Sequence, residues 1–499
     1  MKDAFHISLH GSVYAGRYGL QGLLPFVYEQ GRASTLFRNI MTSWESLFNT
    51  GGLVARGYAR AHGKPFAVPQ QDKYLLVVSS PEQIHELVAE ATRKNSRISS
   101  QVLGVDASIL FPTDKRLGES ESHIASNHLK HKITSHLPYA FPGMQRTVED
   151  AFLNEMKGVE MADGWEKVTL YYVANRIAGR MNNVLIFGED LGKFVFSRVM
   201  EMLTPAASSA GFYESCMRFI TDATILLGIL RHIPRIFYSG ARKKFEALVA
   251  TEVVKRRLES PLEREKHQKD CLQWIMDYSG DVAVDYIARQ MLSMTLGGAH
   301  QQPMYAAFLL YSMCRYPEYT EKLRAEIQAT EEIKFRDLQT GTPYLNSFLR
   351  EVARLNPLTH IALPRKVMSE FTFLDGTHVP KGNWICVPHE PLMTLPEVYS
   401  KPHEFDGFRF VKEESAGARS TNQFWDMNRE FPFWGNPKTG CPARYYVSLN
   451  MKMIAIHLLE NYDFKLFENN APRKLSYHVL DMPHPKLKAL IKKRKHAET

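Results

Sequence analysis

Apolar residues recur at helical spacing along most of the chain, and alternating, strand-like stretches are few and short. YLLVV (74–78) predicts a strand, and SSPEQIHELVAEA after it predicts an amphipathic helix with a Ser N-cap and a Pro in its first turn. FTFLDGTHVPKGNWICV (371–387) predicts a hairpin that turns at Asp375–Gly376, with its second strand after Lys381–Gly382. The pattern therefore predicts a mainly helical protein with a minor β part.

The longest stretch without a fully charged residue runs from Gln290 to Cys314, and by length alone it could span a membrane. Its content argues otherwise, because three glutamines, Gly297–Gly298 and Pro303 are a heavy polar load for lipid. As a helix from 285 to 315 it would be about 45 Å long, the diameter of a large domain. We predict that it is the central buried helix of the protein.

The first 50 residues form a separate N-terminal segment in our prediction. They carry charges and a proline, and they lack both a cleavable signal pattern and a run of about 18 apolar residues. We expect no spanning helix here, and GLLPFVY (22–28) suits either contact with a membrane surface or ordinary packing. Residues 51–499 form one α-rich domain, since no repeat or long linker divides them. Within it, the charged stretches 256–270 and 411–423 predict an exposed linker and an exposed loop.

Composition excludes several classes of protein. Five widely spread cysteines, with no CxxC pair, argue against a zinc site or a disulfide scaffold and favour a reducing compartment. The net charge of +9 could reflect binding to nucleic acid, to an anionic membrane or to an acidic protein, or it could belong to a solvated surface without a partner. Because no nucleic-acid motif accompanies the scattered basic residues, we expect no nucleic-acid partner.

One cysteine lies in an unusual loop, FPFWGNPKTGCPARYYV (431–447). The residues after Cys441 predict a helix that ends near Asn461, with one apolar face made of Val447, Met451, Ile454 and Leu458. At a helix N-terminus, backbone N–H groups and the helix dipole favour a thiolate, and Gly435 and Gly440 permit tight turns. A single thiolate suits a nucleophile or an axial metal ligand, while a buried structural cysteine explains this loop equally well.

Glu351 and Arg354 in FLREVARLNP form a Glu-x-x-Arg pair. The spacing alone is weak, since such pairs are often surface contacts on a helix and the chain has others, among them those at 90–93 and 321–324. The 351–354 pair differs by its context. It is followed in order by LPRKV with Arg365, the predicted hairpin, KPHEFDGFRF with Arg409, and the cysteine loop.

In this order the segments resemble the cytochrome P-450 superfamily, the heme-thiolate monooxygenases. GKPFAVPQQDKYLLVVSSPEQIHEL, NNVLIFGEDL and RYPEYTEKLRAEI are similar to its filamentous-fungal microsomal branch, and the resemblance runs from about Gly51 to Phe467. It implies a mainly α, single P-450-type fold with a long central helix and a small β-rich part. It also implies heme b as cofactor, with Cys441 as the metal ligand.

The resemblance implies further cofactor-binding residues. Glu351, Arg354 and Arg409 would form a buried ion network behind the heme, where removing one charge is costly. Trp434, next to Gly435 and seven residues before the cysteine, would cover the sulfur side of the porphyrin.

The loop departs from the family pattern at two places. Pro437 stands where the family usually has Gly, and Thr439 stands where a basic residue usually reaches a heme propionate. The propionate role then passes to Arg365 and to Lys130 on an early helix, although Lys130 could equally be a solvated lysine.

The central helix departs from the family as well. The family's small-Gly-x-acid-Thr pattern, whose Thr helps deliver protons, is replaced here by Gly297-Gly298-Ala299-His300-Gln301. Gly298 would let the helix approach the heme, and Pro303 would kink it. Gln301 does not titrate, but His300 beside it could supply a proton near neutral pH. Alternatively, both side chains only satisfy the backbone groups that the kink frees.

Three functions follow from the resemblance. The first is a monooxygenase that oxidises a lipophilic secondary metabolite, such as a terpenoid, sterol or polyketide-like molecule, with electrons from an NADPH-dependent flavoprotein reductase. The second is a non-oxygenating or peroxide-dependent heme-thiolate enzyme (a cyclase, isomerase or dehydratase), which the missing Thr motivates. The third is a non-catalytic heme-binding protein.

The branch also implies a location and a docking face. We expect the face of the endoplasmic reticulum membrane, with peripheral attachment unless the chain is truncated or cytoplasmic. Lys438 and Arg444 would steer an acidic reductase to the cysteine loop.

Overall fold

The computed structural model describes residues 35–69, 74–93, 96–98, 119–189, 191–192, 233–329, 334–411, 423–437, 440–477 and 479–494. Helices make up most of this part of the chain, as the apolar spacing predicts. They are α1 (Thr35–Ala61), α2 (Pro81–Ala91), α3 (Glu119–Glu155), α4 (Leu170–Phe187), α5 (Ile233–Leu258), α6 (Pro261–Glu265), α7 (Cys271–Ser279), α8 (Val284–Arg315), α9 (Thr320–Gln328), α10 (Phe335–Thr340), α11 (Pro343–Leu355), α12 (His389–Met393) and α13 (Arg444–Asn461). Within the described ranges, we find no helix with the length and apolar content to cross a membrane.

The central buried helix is confirmed as α8, which contains Pro303. From Met304 to Leu310 every side chain is at most 4% exposed, so this half of the helix lies fully inside the protein. α4 and α5 pack along α8, and α11 and α13 also contact it. The helix therefore joins the elements that carry the predicted site.

Twelve strands among the described residues form two four-stranded sheets and two hairpins. The first sheet has the order β1-β2-β8-β5, the second has the order β3-β4-β12-β9, and the hairpins are β6-β7 and β10-β11. The strands are β1 (Phe66–Pro69), β2 (Tyr74–Val77), β3 (Val159–Glu160), β4 (Glu166–Thr169), β5 (Ile361–Lys366), β6 (Phe371–Thr372), β7 (His378–Val379), β8 (Trp384–Pro388), β9 (Tyr462–Leu466), β10 (Lys474–Tyr477), β11 (Leu480–Pro483) and β12 (Lys488–Lys493).

The predicted strand and helix at 74–91 are confirmed, and Ser80 caps α2 by accepting a hydrogen bond from the N–H of Gln83 at 3.1 Å. The hairpin over 371–387 is only partly right. The chain turns at Asp375–Gly376, but β6 pairs with β7, whereas the strand after Lys381–Gly382 is β8 and pairs with β2 and β5. All five residues of β8 are buried, so this strand lies inside a sheet.

The prediction that 256–270 is an exposed linker is wrong at both of its ends. Arg256 and Asp270 are each 1% exposed, and their Nη1 and Oδ1 atoms lie 2.8 Å apart. These two charges of the segment are therefore paired with each other inside the protein. Only the stretch between them, which includes α6, lies at the surface.

The predicted boundary after residue 50 falls inside α1, close to a bend at Asn49, where φ is −146° and ψ is 37°. The division into residues 1–50 and 51–499 stays a prediction. The GLLPFVY segment (22–28) and residues 412–422 of the predicted loop lie outside the described residues.

Candidate active site

The cysteine loop is closed by a backbone hydrogen bond at its two ends. The N–H of Cys441 donates to the carbonyl of Trp434 at 2.7 Å, after a short 3-10 turn over Pro432–Trp434. Gly435 has a φ of +97°, which favours glycine. At Gly440 a Cβ atom would lie 2.4 Å from the Sδ of Met427, so a larger residue would force the loop to shift. Both glycines are therefore required by the path of the chain.

The sulfur of Cys441 lies just before α13. The backbone N–H groups of Ala443 and Arg444 donate to it, and these bonds and the Arg444 charge lower its pKa. Burial is the largest effect, however, and it raises the pKa of Cys441 above the usual value for a thiol. The N–H groups at the helix N-terminus thus favour the thiolate, as expected, but burial has the larger and opposite effect on the pKa. A coordinated metal ion deprotonates a thiol outright.

Arg444 does not present its charge at the surface, because its side chain is only 7% exposed. Its Nη1 donates to the carbonyl of Cys441 at 3.1 Å, and its guanidinium carbon lies 4.3 Å from the ring centroid of Tyr445. The hypothesis that Arg444 steers a reductase is therefore wrong, since the residue braces the loop from within. Lys438 and Thr439 lie outside the described residues.

Trp434 is fixed by its indole nitrogen. Its Nε1–H donates to the carbonyl of Phe424 at 2.6 Å, and its ring packs edge-on against the rings of Phe424 and Phe433, each with centroids 5.0 Å away. Phe431, in the same cluster, is fully buried. This aromatic cluster excludes water from the inner side of the loop.

The ion network at Glu351 is confirmed. Glu351 and Arg354 are both 0% exposed, and Oε2 of Glu351 lies 2.7 Å from Nε of Arg354. Arg409 reaches the same carboxylate at 3.2 Å. The remaining donors of Arg354 bond to the carbonyls of Met393, Pro402 and Glu404 at 3.0, 2.6 and 3.3 Å. The network thus joins α11 to the segment that runs from α12 to Arg409.

The Glu-x-x-Arg pairs at 90–93 and 321–324 lie in quite different environments. Glu90 is 4% exposed, but its partner Arg93 is 65% exposed. Glu321 is 85% exposed and lies 3.1 Å from Arg324. Arg324 itself is 12% exposed, so identical spacing gives one fully buried pair, one pair with a buried glutamate and an exposed arginine, and one pair with an exposed glutamate and a largely buried arginine. The pairs differ in how deeply each side chain is buried, and this burial cannot be predicted from the spacing.

Arg365 lies on β5 immediately after an irregularity in the pairing of β5 with β8. Leu363, within this bulge, has a φ of +52°, a left-handed conformation that is strained for a leucine. Bulges of this kind redirect the side chains that follow them. Arg365 itself is 2% exposed, and burial lowers the pKa of its guanidinium to about 10.

On α8 the predicted residues are placed only in part. The carbonyl of Gly298 accepts a hydrogen bond from Nδ2 of Asn182 on α4 at 2.9 Å, and a Cβ at Gly298 would lie 3.2 Å from that nitrogen. Gln301 is exposed, whereas Gln302 next to it is 4% exposed. The side chains of His300 and of Lys130 on α3 lie outside what the structure describes.

The structure therefore brings Glu351, Arg354 and Arg409 together, and it places Trp434 and Gly435 in one closed loop with Cys441. Sequence reasoning missed Asn182, which is 116 residues away from Gly298 and carries no motif. It also missed Phe424, whose backbone carbonyl holds Trp434 and could not be found from residue type.

Comparison with known proteins defines the class. The family model described as Cytochrome P450 matches residues 53–491, so the chain belongs to the cytochrome P450 family. It is an enzyme of the P450 type, a heme-thiolate oxidoreductase of a monooxygenase family. The resemblance stated from the sequence is thereby confirmed.

Similar proteins come from filamentous fungi. The chain is 25% identical to cytochrome P450 monooxygenase olcJ of Penicillium canescens, over 88% of this chain and 82% of that protein. It is also 25% identical to ent-kaurene oxidase P450-4 of Gibberella fujikuroi, over 90% of this chain and 88% of that protein. The fold is similar to that of retinoic acid bound cyanobacterial CYP120A1, with a TM-score of 0.65, 18% identity and coverage of 90% of this chain and 95% of that one. The mainly α fold with a small β part is confirmed by this likeness.

Proposed function

We propose that this chain is a monooxygenase that binds heme b through Cys441 and oxidises a lipophilic secondary metabolite with dioxygen. The geometry of the cysteine loop carries the proposal. Two backbone N–H groups point at the Cys441 sulfur, and the loop is closed by the 2.7 Å bond from Cys441 to Trp434. The sequence alone left a nucleophile, a metal ligand and a structural cysteine open, and membership of the P450 family favours the ligand.

The residues around Cys441 suit a heme. A thiolate is a soft donor that binds iron well, and the aromatic rings of Phe424, Phe433 and Trp434 keep water away from it. Arg365 is a buried guanidinium whose pKa burial lowers to about 10, and a propionate carboxylate beside it would favour its charged form. We assign Lys130 as a second cation on the propionate side, while Thr439 can offer only a hydroxyl there.

When bound, a heme-thiolate supplies the activation of dioxygen. The protein's own part is to hold the ligand and to exclude water. Glu351, Arg354 and Arg409 fix the backbone behind the loop, because each carbonyl that Arg354 bonds is held relative to α11. Trp434 shields the sulfur, and Gly435 allows the turn that places it.

We assign proton delivery to α8. The exposed amide of Gln301 can hydrogen-bond a water molecule but does not titrate, whereas position 300 beside it carries a histidine, the residue type suited to proton transfer near neutral pH. A Cβ atom at Gly298 would lie 3.2 Å from Nδ2 of Asn182, so the glycine permits the close approach of α4 at this turn. The hydrogen bond from Asn182 also occupies the carbonyl of Gly298, which ties this turn of α8 to α4.

The relatives support proposals for the substrate class, the redox partner and the location. The ent-kaurene oxidase among them makes a terpenoid the first candidate, ahead of a sterol or a polyketide-like molecule. We propose that electrons come from an NADPH-dependent flavoprotein reductase. We also propose peripheral attachment at the endoplasmic reticulum membrane, consistent with the absence of a spanning helix among the described residues.

The decisive experiment combines the protein with reductase, NADPH and isotope-labelled dioxygen. The substrates offered are terpenoid extracts of a host that lacks this protein. We expect one labelled oxygen atom in the product. A product without the label would show non-oxygenating chemistry, and no turnover of any extract would contradict an enzymatic role.

The ligand is tested separately. We expect Cys441→Ser to abolish the thiolate signature in the ferrous carbon monoxide spectrum, because an alcohol is not ionised under these conditions. Cys386→Ser is the matched control, since Cys386 is fully buried in β8 and should leave the signature intact. An unchanged spectrum in Cys441→Ser would exclude this residue as the ligand.

A further inference from the structure

We propose that Arg350 is a positioning residue for the metal-ligating loop: it holds the turn at 423–426, and this turn sets the place of Trp434 and, through it, of Cys441. The inference rests on the proposed ligand role of Cys441. It concerns a residue outside the Glu351 network, although Arg350 directly precedes Glu351 in the chain.

Arg350 binds the turn through backbone carbonyls. It is 2% exposed on α11, and its Nη1 donates to the carbonyl of Gln423 at 2.6 Å and to that of Asp426 at 3.3 Å. One helical turn earlier, Oδ1 of Asn346 accepts the N–H of Phe424 at 3.0 Å. α11 thus holds the turn from both its donor and its acceptor sides.

The turn then holds the loop. The carbonyl of Phe424 accepts the Nε1–H of Trp434 at 2.6 Å, and the carbonyl of Trp434 accepts the N–H of Cys441 at 2.7 Å. Arg350 contacts the loop directly as well, because its guanidinium carbon lies 3.9 Å from the ring centroid of Phe431. A continuous path of short contacts therefore runs from Arg350 to the backbone of Cys441.

The free energy that it costs to bury the charged guanidinium of Arg350 supports a role beyond stability. Among the described residues, no carboxylate lies within ion-pair distance of this buried guanidinium, and its Nε has no hydrogen-bond acceptor. Burial lowers its pKa to about 10, so its surroundings oppose the charge that it carries. Buried charges of this kind add little net stability, and an apolar residue of similar volume often replaces them without loss. What such a residue supplies here is the placement of two carbonyl groups.

Two variants test the path at its two ends. Arg350→Met keeps the volume but loses both hydrogen bonds that Nη1 donates, and Trp434→Phe loses only the hydrogen bond from the indole. We expect Trp434→Phe to lower the ratio of thiolate-type to non-thiolate ferrous carbon monoxide signal in the holoenzyme by roughly fivefold, the effect of one net hydrogen bond, and Arg350→Met to lower it by at least as much. The double variant should lower it by less than the product of the two effects, because both act on one path. Arg350→Lys, which keeps one donor, should recover part of the ratio.

Arg256→Met is the matched control. Arg256 is also a buried arginine, at 1% exposed, but it pairs with Asp270 and bonds to the carbonyl of Phe187. The Arg256→Met variant should lower the unfolding temperature without changing the ratio of thiolate-type to non-thiolate signal. If Arg350→Met and Trp434→Phe leave the ratio at its wild-type value, or if Arg256→Met lowers it equally, the proposal is overturned. Where Arg350→Met does not fold, Arg350→Lys and Trp434→Phe decide. A wild-type protein without any thiolate signal would instead contradict the proposed function.

Discussion

Glu351→Gln should destabilise this protein far more than the same substitution at Glu90 or Glu321, although all three glutamates lie three residues before an arginine. The substitution keeps the shape of the side chain and removes its charge. At position 351 this leaves Arg354, with no exposure, and Arg409, at 11%, without their shared carboxylate. The amide that replaces one oxygen would also point a donor at arginine donors.

The magnitude follows from burial. Breaking a buried pair so that one charge stays uncompensated costs about 3–5 kcal/mol, whereas a surface pair contributes about 0–1 kcal/mol. Glu90 lies between these limits, because it is 4% exposed but Arg93 and Arg97, at 65% and 42%, can turn to water when it is lost. For a chain of 499 residues the unfolding entropy is about 1 kcal/mol/K, so 1 kcal/mol corresponds to about 1 °C.

We therefore expect the unfolding temperature to fall by about 3–5 °C for Glu351→Gln, by less for Glu90→Gln, and by under about 1 °C for Glu321→Gln. Far-UV circular dichroism of the three full-length variants, heated at one rate in one buffer, measures the series. Equal shifts at 351 and 321 would refute the reasoning, because the two pairs share their spacing and differ in burial.

Two further predictions concern groups buried on either side of the site. Lys452 is 1% exposed, and burial lowers its pKa from 10.5 to about 7. Between these two pH values the unfolded chain still binds the proton that the folded protein has lost. The free energy of unfolding should therefore rise between about pH 7 and 10.5. Lys452→Met should flatten that rise in urea unfolding series, and a slope equal to that of wild type would contradict the shift. Asn182→Leu removes the donor to the carbonyl of Gly298, so we expect more hydrogen peroxide per NADPH consumed. The control is Asn154→Leu, on an exposed stretch of α3. Equal peroxide yields in the two variants would exclude a role for the contact between Asn182 and Gly298.

Elements with strong local signals could be predicted from the sequence. The central helix and α13 follow from apolar spacing, and the start of α2 follows from Ser80 and Pro81. On α13, three residues of the predicted face, Met451, Ile454 and Leu458, are each at most 1% exposed. Val447, the fourth, is half-buried, and residues outside this face are buried as well, so the helix lies in the core on nearly all sides. These features depend on neighbours within a few positions, which the sequence displays directly.

The parts that failed depend on long-range contacts. Charge content suggested a solvated stretch at 256–270, but the partner of Arg256 lies 14 positions later in the same protein interior. The pKa of Cys441 depends on how deeply the loop is buried, and this burial outweighs the local effect of the helix N-terminus. Asn182 meets Gly298 across 116 residues, so no window of sequence could have paired them.

Burial also changes the meaning of the net charge of +9. Arg256, Arg350, Arg354, Arg365 and Lys452 are each at most 2% exposed, so five of the positive charges lie inside the protein. Some are compensated by carboxylates, as Arg354 is by Glu351, and the pKa of Lys452 falls to about 7, so a share of its charge is absent at neutral pH. Five acidic side chains are buried to a similar depth, each at most 5% exposed: Glu90, Glu155, Glu351, Asp270 and Asp481. Burial therefore removes charges of both signs from the surface, and it decides which cations a partner can meet more than how large the net charge is. Any docking face for a reductase must come from exposed cations, and Arg444, at 7% exposed, cannot supply it.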